Sequence, residues 1–288
     1  MLQGINPSIV SDVSYVDINT GGGGYDFGDA TSGRRGPAGA GSRTRALSAG
    51  GCTPSVQDNI DFFTFSSTGN GTDFGNMSTG NRSALCGMGN QTRALFNGGY
   101  SPGTVNTIDY ITIAQTGNAV DYGDLTVARE SGACCASPTR GIISGGRNQP
   151  ANTALSSIDF VEIASTGNAQ SFGDLTVARF ATQSCSNSTR GLIFAGNNPS
   201  DTNVIDFITI SSGGDAVDFG DTIEALEYPL GAVASPVRAV CAGGLNPSAV
   251  NTIQYVAIPT QGNAVDFGDL TGAKSEASGC SNSHGGLG

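Results

Sequence analysis

The chain has no tryptophan, a single histidine (His284) and only 13 basic residues, and charged residues of both signs make up just 13% of it. One histidine excludes multi-histidine metal centres and the copper oxidases built on them. It also leaves any serine–histidine–aspartate triad dependent on His284, which has no nucleophile elbow near it. Set against 24 acids, the few lysines and arginines give a net charge of −11. Phosphate contacts need clustered basic side chains, so neither nucleic acid nor an anionic lipid surface suits this chain. There is no run of 18 apolar residues, so no membrane insertion is expected. There is no basic start followed by an apolar stretch, so no secretory signal is expected. Cys-x-x-Cys spacing is absent too, which argues against a metal cluster or redox pair among the seven cysteines. Cys135, Cys185 and Cys280 each lie five residues before an equivalent turn position. Equivalent positions in successive units are expected to be too far apart to be bridged, and free buried thiols favour synthesis in a reducing cytoplasm.

What the chain does have is a period. An aromatic residue, a glycine and an acid or amide recur six times, as Phe27-Gly28-Asp29, Phe74-Gly75-Asn76, Tyr122-Gly123-Asp124, Phe172-Gly173-Asp174, Phe219-Gly220-Asp221 and Phe267-Gly268-Asp269. The glycine-to-glycine steps are 47, 48, 50, 47 and 48 residues. The 20 residues after Gly268 and the 28 up to Gly28 make one more step of 48. Units of this length are too short to bury a core alone, so residues 1–288 read as one domain of six repeats. A pattern whose two ends join in register describes a closed ring.

The third repeat shows what each unit contains. Ile108-Asp109-Tyr110-Ile111-Thr112-Ile113 alternates apolar and polar side chains as a half-buried strand, with Tyr110 a bulky exception. Thr116-Gly117-Asn118-Ala119 is a turn, and Val120–Asp124 a second, shorter strand. Gly132–Ala136 is a small-residue strand, and Gly141–Gly146 a fourth strand ending in a glycine pair. No stretch shows helical periodicity. The expected fold is therefore all-β: a six-bladed β-propeller with four antiparallel strands per blade and a closing blade shared by the N- and C-termini. The last residues, Cys280 to Leu287, match the run from Cys185 to Leu192 into the fourth strand. The first, Leu2 to Ser8, match Ala242 to Ser248 leading out of it. The chain is thus expected to break inside one strand.

The pattern resembles the kelch repeat. The pairs Gly50-Gly51, Gly98-Gly99, Gly145-Gly146 and Gly243-Gly244 fall where the kelch double glycine does. Tyr110, Phe160, Phe207 and Tyr255 resemble the aromatic of the next kelch strand, and Phe74, Tyr122, Phe172, Phe219 and Phe267 stand at its tryptophan position. A narrower resemblance, carried by the phrase Asn118 to Arg129, is to repeat-containing virion structural proteins of marine tailed phages, the cyanophages above all. It implies a non-enzymatic structural or adhesion component of the tail, fibre or host-contact apparatus. Such a protein would be made in the host cytoplasm and carried in the virion. Its partners would be other virion proteins and a glycan or protein of the host surface.

The repeat accounts for most of the charged residues. Arg45, Arg93, Arg140, Arg190 and Arg238 share one repeat position, and Arg34, Arg129 and Arg179 another, with Lys274 there in the last unit and Arg82 one residue displaced. They are expected to pair with Asp29, Asp124, Asp174, Asp221 and Asp269 or to cap carbonyls between blades. The pairs Asp26/Asp29, Asp121/Asp124, Asp218/Asp221 and Asp266/Asp269 supply too few oxygens for calcium, and no metal or other cofactor is expected. No catalytic constellation stands out. Acids for a polysaccharide-active enzyme would have to come from Glu130, Asp201, Glu224 and Glu227. The loops after the glycine pairs vary while the strands stay constant, and binding usually sits on such loops. The candidate binding residues are Thr53, Gln57, Tyr100, Ser101, Arg147, Asn148, Gln149, Asn197, Asn198 and Asp201. Their polar side chains also suit a carbohydrate-binding, lectin-like propeller.

Overall fold

A computed structural model describes residues 2–6, 8–229 and 231–287 and shows an all-β propeller. Five sheets are four-stranded and antiparallel. In one of them Ala133–Ala136 runs next to the axis, followed outward by Arg140–Ser144, Ser157–Glu162 and Gln170–Asp174. The innermost strand is built of small residues because such strands converge on the axis. Its side chains are all buried, as are those of the equivalent Gly231–Ala234.

The expected four-stranded antiparallel blade is seen five times and not six; the ends of the chain meet in a further sheet, of five strands. Ser275–Gly279 is its inner strand, Leu2–Asn6 pairs with it, and Asp12–Tyr15 and Tyr25–Asp29 complete the sheet, with Ser8–Ile9 folded back on Leu2–Asn6. Ser275–Gly279 packs between Gly231–Ala234 and Ala38–Gly41, the inner strands on either side of it. The expected break within a strand is also corrected. Leu2–Asn6 already fills the place beside the inner strand, so the C-terminal residues find no ladder to join. They turn across the axis instead, where Gly285–Leu287 forms a short 3-10 helix. Pro7 lies outside the described residues.

The recurring aromatic–glycine–acid motif is the seam between blades. Gly167 N donates to Tyr122 O at 2.9 Å, Asp124 N to Asn168 Oδ1 at 3.1 Å, and Ala169 N to Asp124 O at 2.8 Å, so each motif grips the Gly-Asn turn of the next blade. The same bonds recur around the ring. Gly22 N to Phe267 O at 3.2 Å ties the last motif to the Gly21–Gly24 turn near the chain's start.

The arginines divide into two structural sets. Arg45, Arg93, Arg140, Arg190 and Arg238 each reach a carbonyl of the next blade, at Ile113, Ile163, Ile210, Ile258 and Ile18 respectively, over 2.8–3.1 Å. Each also stacks on an aromatic ring of its own blade, which explains the bulky exception in the alternating strand: Tyr110 lies under Arg93, 4.8 Å from the guanidinium carbon, and edge-on to Tyr122. The second set pairs with partners other than those expected. Arg34 pairs with Asp61, Arg82 with Asp109, Arg129 with Asp159 at 3.1 Å, Arg179 with Asp206 at 3.0 Å and Lys274 with Asp12. The arginines and their aspartates are buried, whereas Asp29, Asp124, Asp174, Asp221 and Asp269 sit at the blade seams near solvent. There Asp29 accepts from the Ser11 hydroxyl and Asp174 from Ser156, both at 2.8 Å. In the carboxylate pairs that flank the motif, Asp26, Asp218 and Asp266 accept the backbone N–H of the motif glycine.

Candidate functional site

Six residues at one repeat position encircle the axis on the face that carries the variable loops: Gly36, Ala84, Ser131, Ala181, Tyr228 and Glu276, all with φ between 46° and 59°. Holding a residue with a side chain in the left-handed region costs on the order of 1–3 kcal/mol. A run of five backbone hydrogen bonds from Tyr228 round to Glu276 links them. Gly36 N donates to Glu276 O, Ala84 N to Gly36 O, Ser131 N to Ala84 O, Ala181 N to Ser131 O and Tyr228 N to Ala181 O, over 2.7–3.0 Å. The backbone is thus uniform around the circle while the side chains differ in size and charge.

Within this circle lies a cavity of about 270 Å³. Arg35 and Glu276 face each other at 3.8 Å, and Arg147 holds Glu130 at 2.7 Å while stacking over Phe180. Burial raises the Glu276 carboxyl above the usual range, with Arg35 opposing it. Burial also raises the Tyr228 hydroxyl, against the pull of Arg147. Thr182 also lines the cavity. Its methyl lies against Gly196, and its Oγ1, in a residue only 2% exposed, has no hydrogen-bond partner among the described residues.

Of the residues expected to bind, Tyr100 and Arg147 line this cavity, and Gln149 joins them along a groove opening from it. The structure does not bring the others to it. Gln57 bonds to Ser55 O, Asn148 to Ala128 O, Asn197 to Asp201 and Asn198 to Ala178 O, so these polar groups stabilise their own loops. Thr53 belongs to a two-residue ladder with Ser55, and Ser101 N bonds to Gly103 O. Of the acids considered for catalysis, Glu130 is in the cavity and Glu224 accepts from Asn246. Glu227 lies nearby, its carboxyl raised by burial and by the charges of Asp201 and Glu276. Arg35, Tyr228, Glu276 and Thr182 were not expected. The sequence signal for three of them is a position two residues beyond the buried basic one, or next to it, that changes in every repeat.

Below the cavity the channel narrows to about 40 Å³ between the inner strands, and the C-terminal turn closes its far end. His284 Nε2 lies 3.0 Å from Gly41 O, and Gly286 N donates to His284 Nδ1 at 3.1 Å, so the ring is neutral with its proton on Nε2. Burial lowers its pKa below the ordinary 6.5, opposed by the Gly41 bond. Above about pH 6.5 the ring is neutral folded or unfolded, and the turn has its full stability. As the pH falls below that value the unfolded turn takes the proton first, and stability is lost down through the folded pKa. Amide-exchange protection of Gly286 and Leu287, corrected for intrinsic rates, is therefore expected to fall as the pH drops below about 6.5, and a His284→Asn variant is expected to lack that dependence.

The cysteines correct one further expectation. Cys86 and Cys134, 48 residues apart on adjacent inner strands, are disulfide-bonded with Cα atoms 5.6 Å apart, because the strands converge at the axis. Cys135 points the other way, toward Ser184 and Ser186, and burial pushes its thiol up to about 12. Among the described residues no group of three or more His, Cys, Asp or Glu is placed to hold a metal ion.

Compared with known proteins, the chain matches no protein-family model and no curated protein sequence.

Proposed function

We propose that this chain is a six-bladed, kelch-like ring serving as a non-enzymatic structural and adhesion component of a tailed-phage particle, with the variable-loop face as its contact surface. The blade count is supported by the glycine steps near 48 residues and by the inner strand Ser275–Gly279, which stands between its neighbours as the others do. The phage assignment rests on the repeat phrase Asn118 to Arg129. The observation that carries the adhesive role is the charge pairing in the axial cavity on that face, where Arg147 holds Glu130 and Arg35 faces Glu276, leaving a concave surface of balanced charge for a ligand. The rigid ring beneath presents loops that differ from repeat to repeat, as recognition surfaces do. Mass spectrometry of particles purified from the native source is the test. The chain is expected among the tail or fibre proteins, and recovery only as a free protein would sink the assignment.

A further inference from the structure

The axial cavity is a dead end. It opens on the variable-loop face, and below it the channel shrinks to about 40 Å³ under the C-terminal turn. A ligand therefore enters from one side and stops. At about 270 Å³ the cavity lies just under the ~300–1,000 Å³ typical of drug-sized ligands, so it takes one ring and not a chain.

Its chemistry narrows the class. Two guanidinium groups alone would select an anion and two carboxylates a cation, but here each charge faces its opposite. The lining is neutral in sum and rich in both donors and acceptors. The protein's charge of −11 disfavours polyanions further. Tyr100 exposes its ring at the mouth, and Arg35, with half its side chain exposed, holds Glu276 by a single long contact that leaves donors free to turn inward. In the cavity wall, Thr182 also carries a buried Oγ1 without a partner among the described residues. A buried hydroxyl without a partner has already lost its water, so a ligand hydroxyl that meets it gains a hydrogen bond at little further desolvation cost.

We infer that the axial cavity seats a single neutral hexopyranose, the terminal sugar of a surface glycan, with its hydroxyls on Thr182, Arg35 and Glu276 and its apolar face toward Tyr100. The inference rests on the reading of the loop face as the contact surface, but its test does not need the particle. Ligand-observed NMR titrations of the purified full chain would use the methyl glycosides of glucose, galactose, mannose, rhamnose and N-acetylglucosamine, with glycine and inorganic phosphate as charged comparators. At least one glycoside is expected to bind. Thr182→Val and Arg35→Ala are each expected to weaken it fivefold or more, with the thermal midpoint unchanged. Asn198→Ala, on a loop away from the cavity, is expected to leave binding unaltered. Absence of binding by every glycoside overturns the inference, as does preference for glycine or phosphate, or glycoside binding indifferent to both cavity variants. A chain found in particles that binds no sugar leaves the proposed function standing without this site, whereas a sugar-binding chain absent from particles does the reverse.

Discussion

Replacing Asp159 by alanine is expected to cost about 3–5 kcal/mol, while the double replacement Arg129→Leu with Asp159→Gln stays within about 1 kcal/mol of the parent. Arg129 and Asp159 are both buried and 3.1 Å apart. Asp159 also accepts from Thr126, at 3.1 Å from its backbone N–H and 2.7 Å from its hydroxyl. Removing the carboxylate strands a guanidinium that burial already disfavours, its pKa being lowered by desolvation against the attraction of Asp159. Removing both leaves no buried charge unpaired; what is lost besides is the guanidinium's donation to Gly145 O and Ser157 O, at 2.9 and 2.8 Å. The fifth repeat has made that exchange itself: Leu226, 0% exposed, stands where the others have arginine or lysine, and Gln254, 1% exposed, stands where four of them have aspartate. Gln254 keeps the local bond, accepting from Ile223 N at 2.8 Å as Asp159 does from Thr126. Denaturant unfolding of the single and double variants checks this. A double variant less stable than Asp159→Ala would mean that the pairs are more than mutual compensation.

Gly123→Ala is expected to destabilise the ring by about 3–5 kcal/mol. Gly123 has φ of 145°, where a side chain is strained, and an added Cβ would stand 2.6 Å from Gly167 O and 2.7 Å from its carbonyl carbon. Those atoms belong to the backbone of the next blade and cannot turn aside. The new methyl would push apart the seam at which Gly167 N bonds to Tyr122 O. Gly103→Ala is the control. A methyl added there would meet nothing within 4 Å, and the change is expected to fall within about 0.5 kcal/mol. Equal effects at the two positions would remove the seam from the account of stability.

These two features mark where the sequence is readable and where it is not. The seam is legible because it needs the same residues in every blade, so Gly123 and its five equivalents stand out by spacing alone. The partners of Arg34, Arg129 and Arg179 are easily mistaken because the repeated aspartates five residues before them look like natural partners, and Arg82 follows them by its place in the repeat. The true ones lie 27–30 residues further on, on a strand of the following blade. The signal is nonetheless present, since Asp61, Asp109, Asp159 and Asp206 recur with the same period and Leu226 changes together with Gln254. The axial site is harder. Ala84, Ser131, Tyr228 and Glu276 share a backbone conformation and a place in the run of hydrogen bonds but no chemistry, so a search for repetition passes over them. The turn at Gly285–Leu287 escapes for a different reason: its sequence matches the run into a strand whose place Leu2–Asn6 has taken.

The measurement that bears most directly on the proposed role is a competition for adsorption. Host cells are incubated with an excess of the purified chain before particles are added, and the free particles are counted. Adsorption is expected to fall as the chain saturates the surface, and a Tyr100→Asp variant, altered at the cavity mouth, is expected to block it poorly. Undiminished adsorption at every concentration, with no chain retained on the cells, would contradict the assignment of the variable-loop face to host contact.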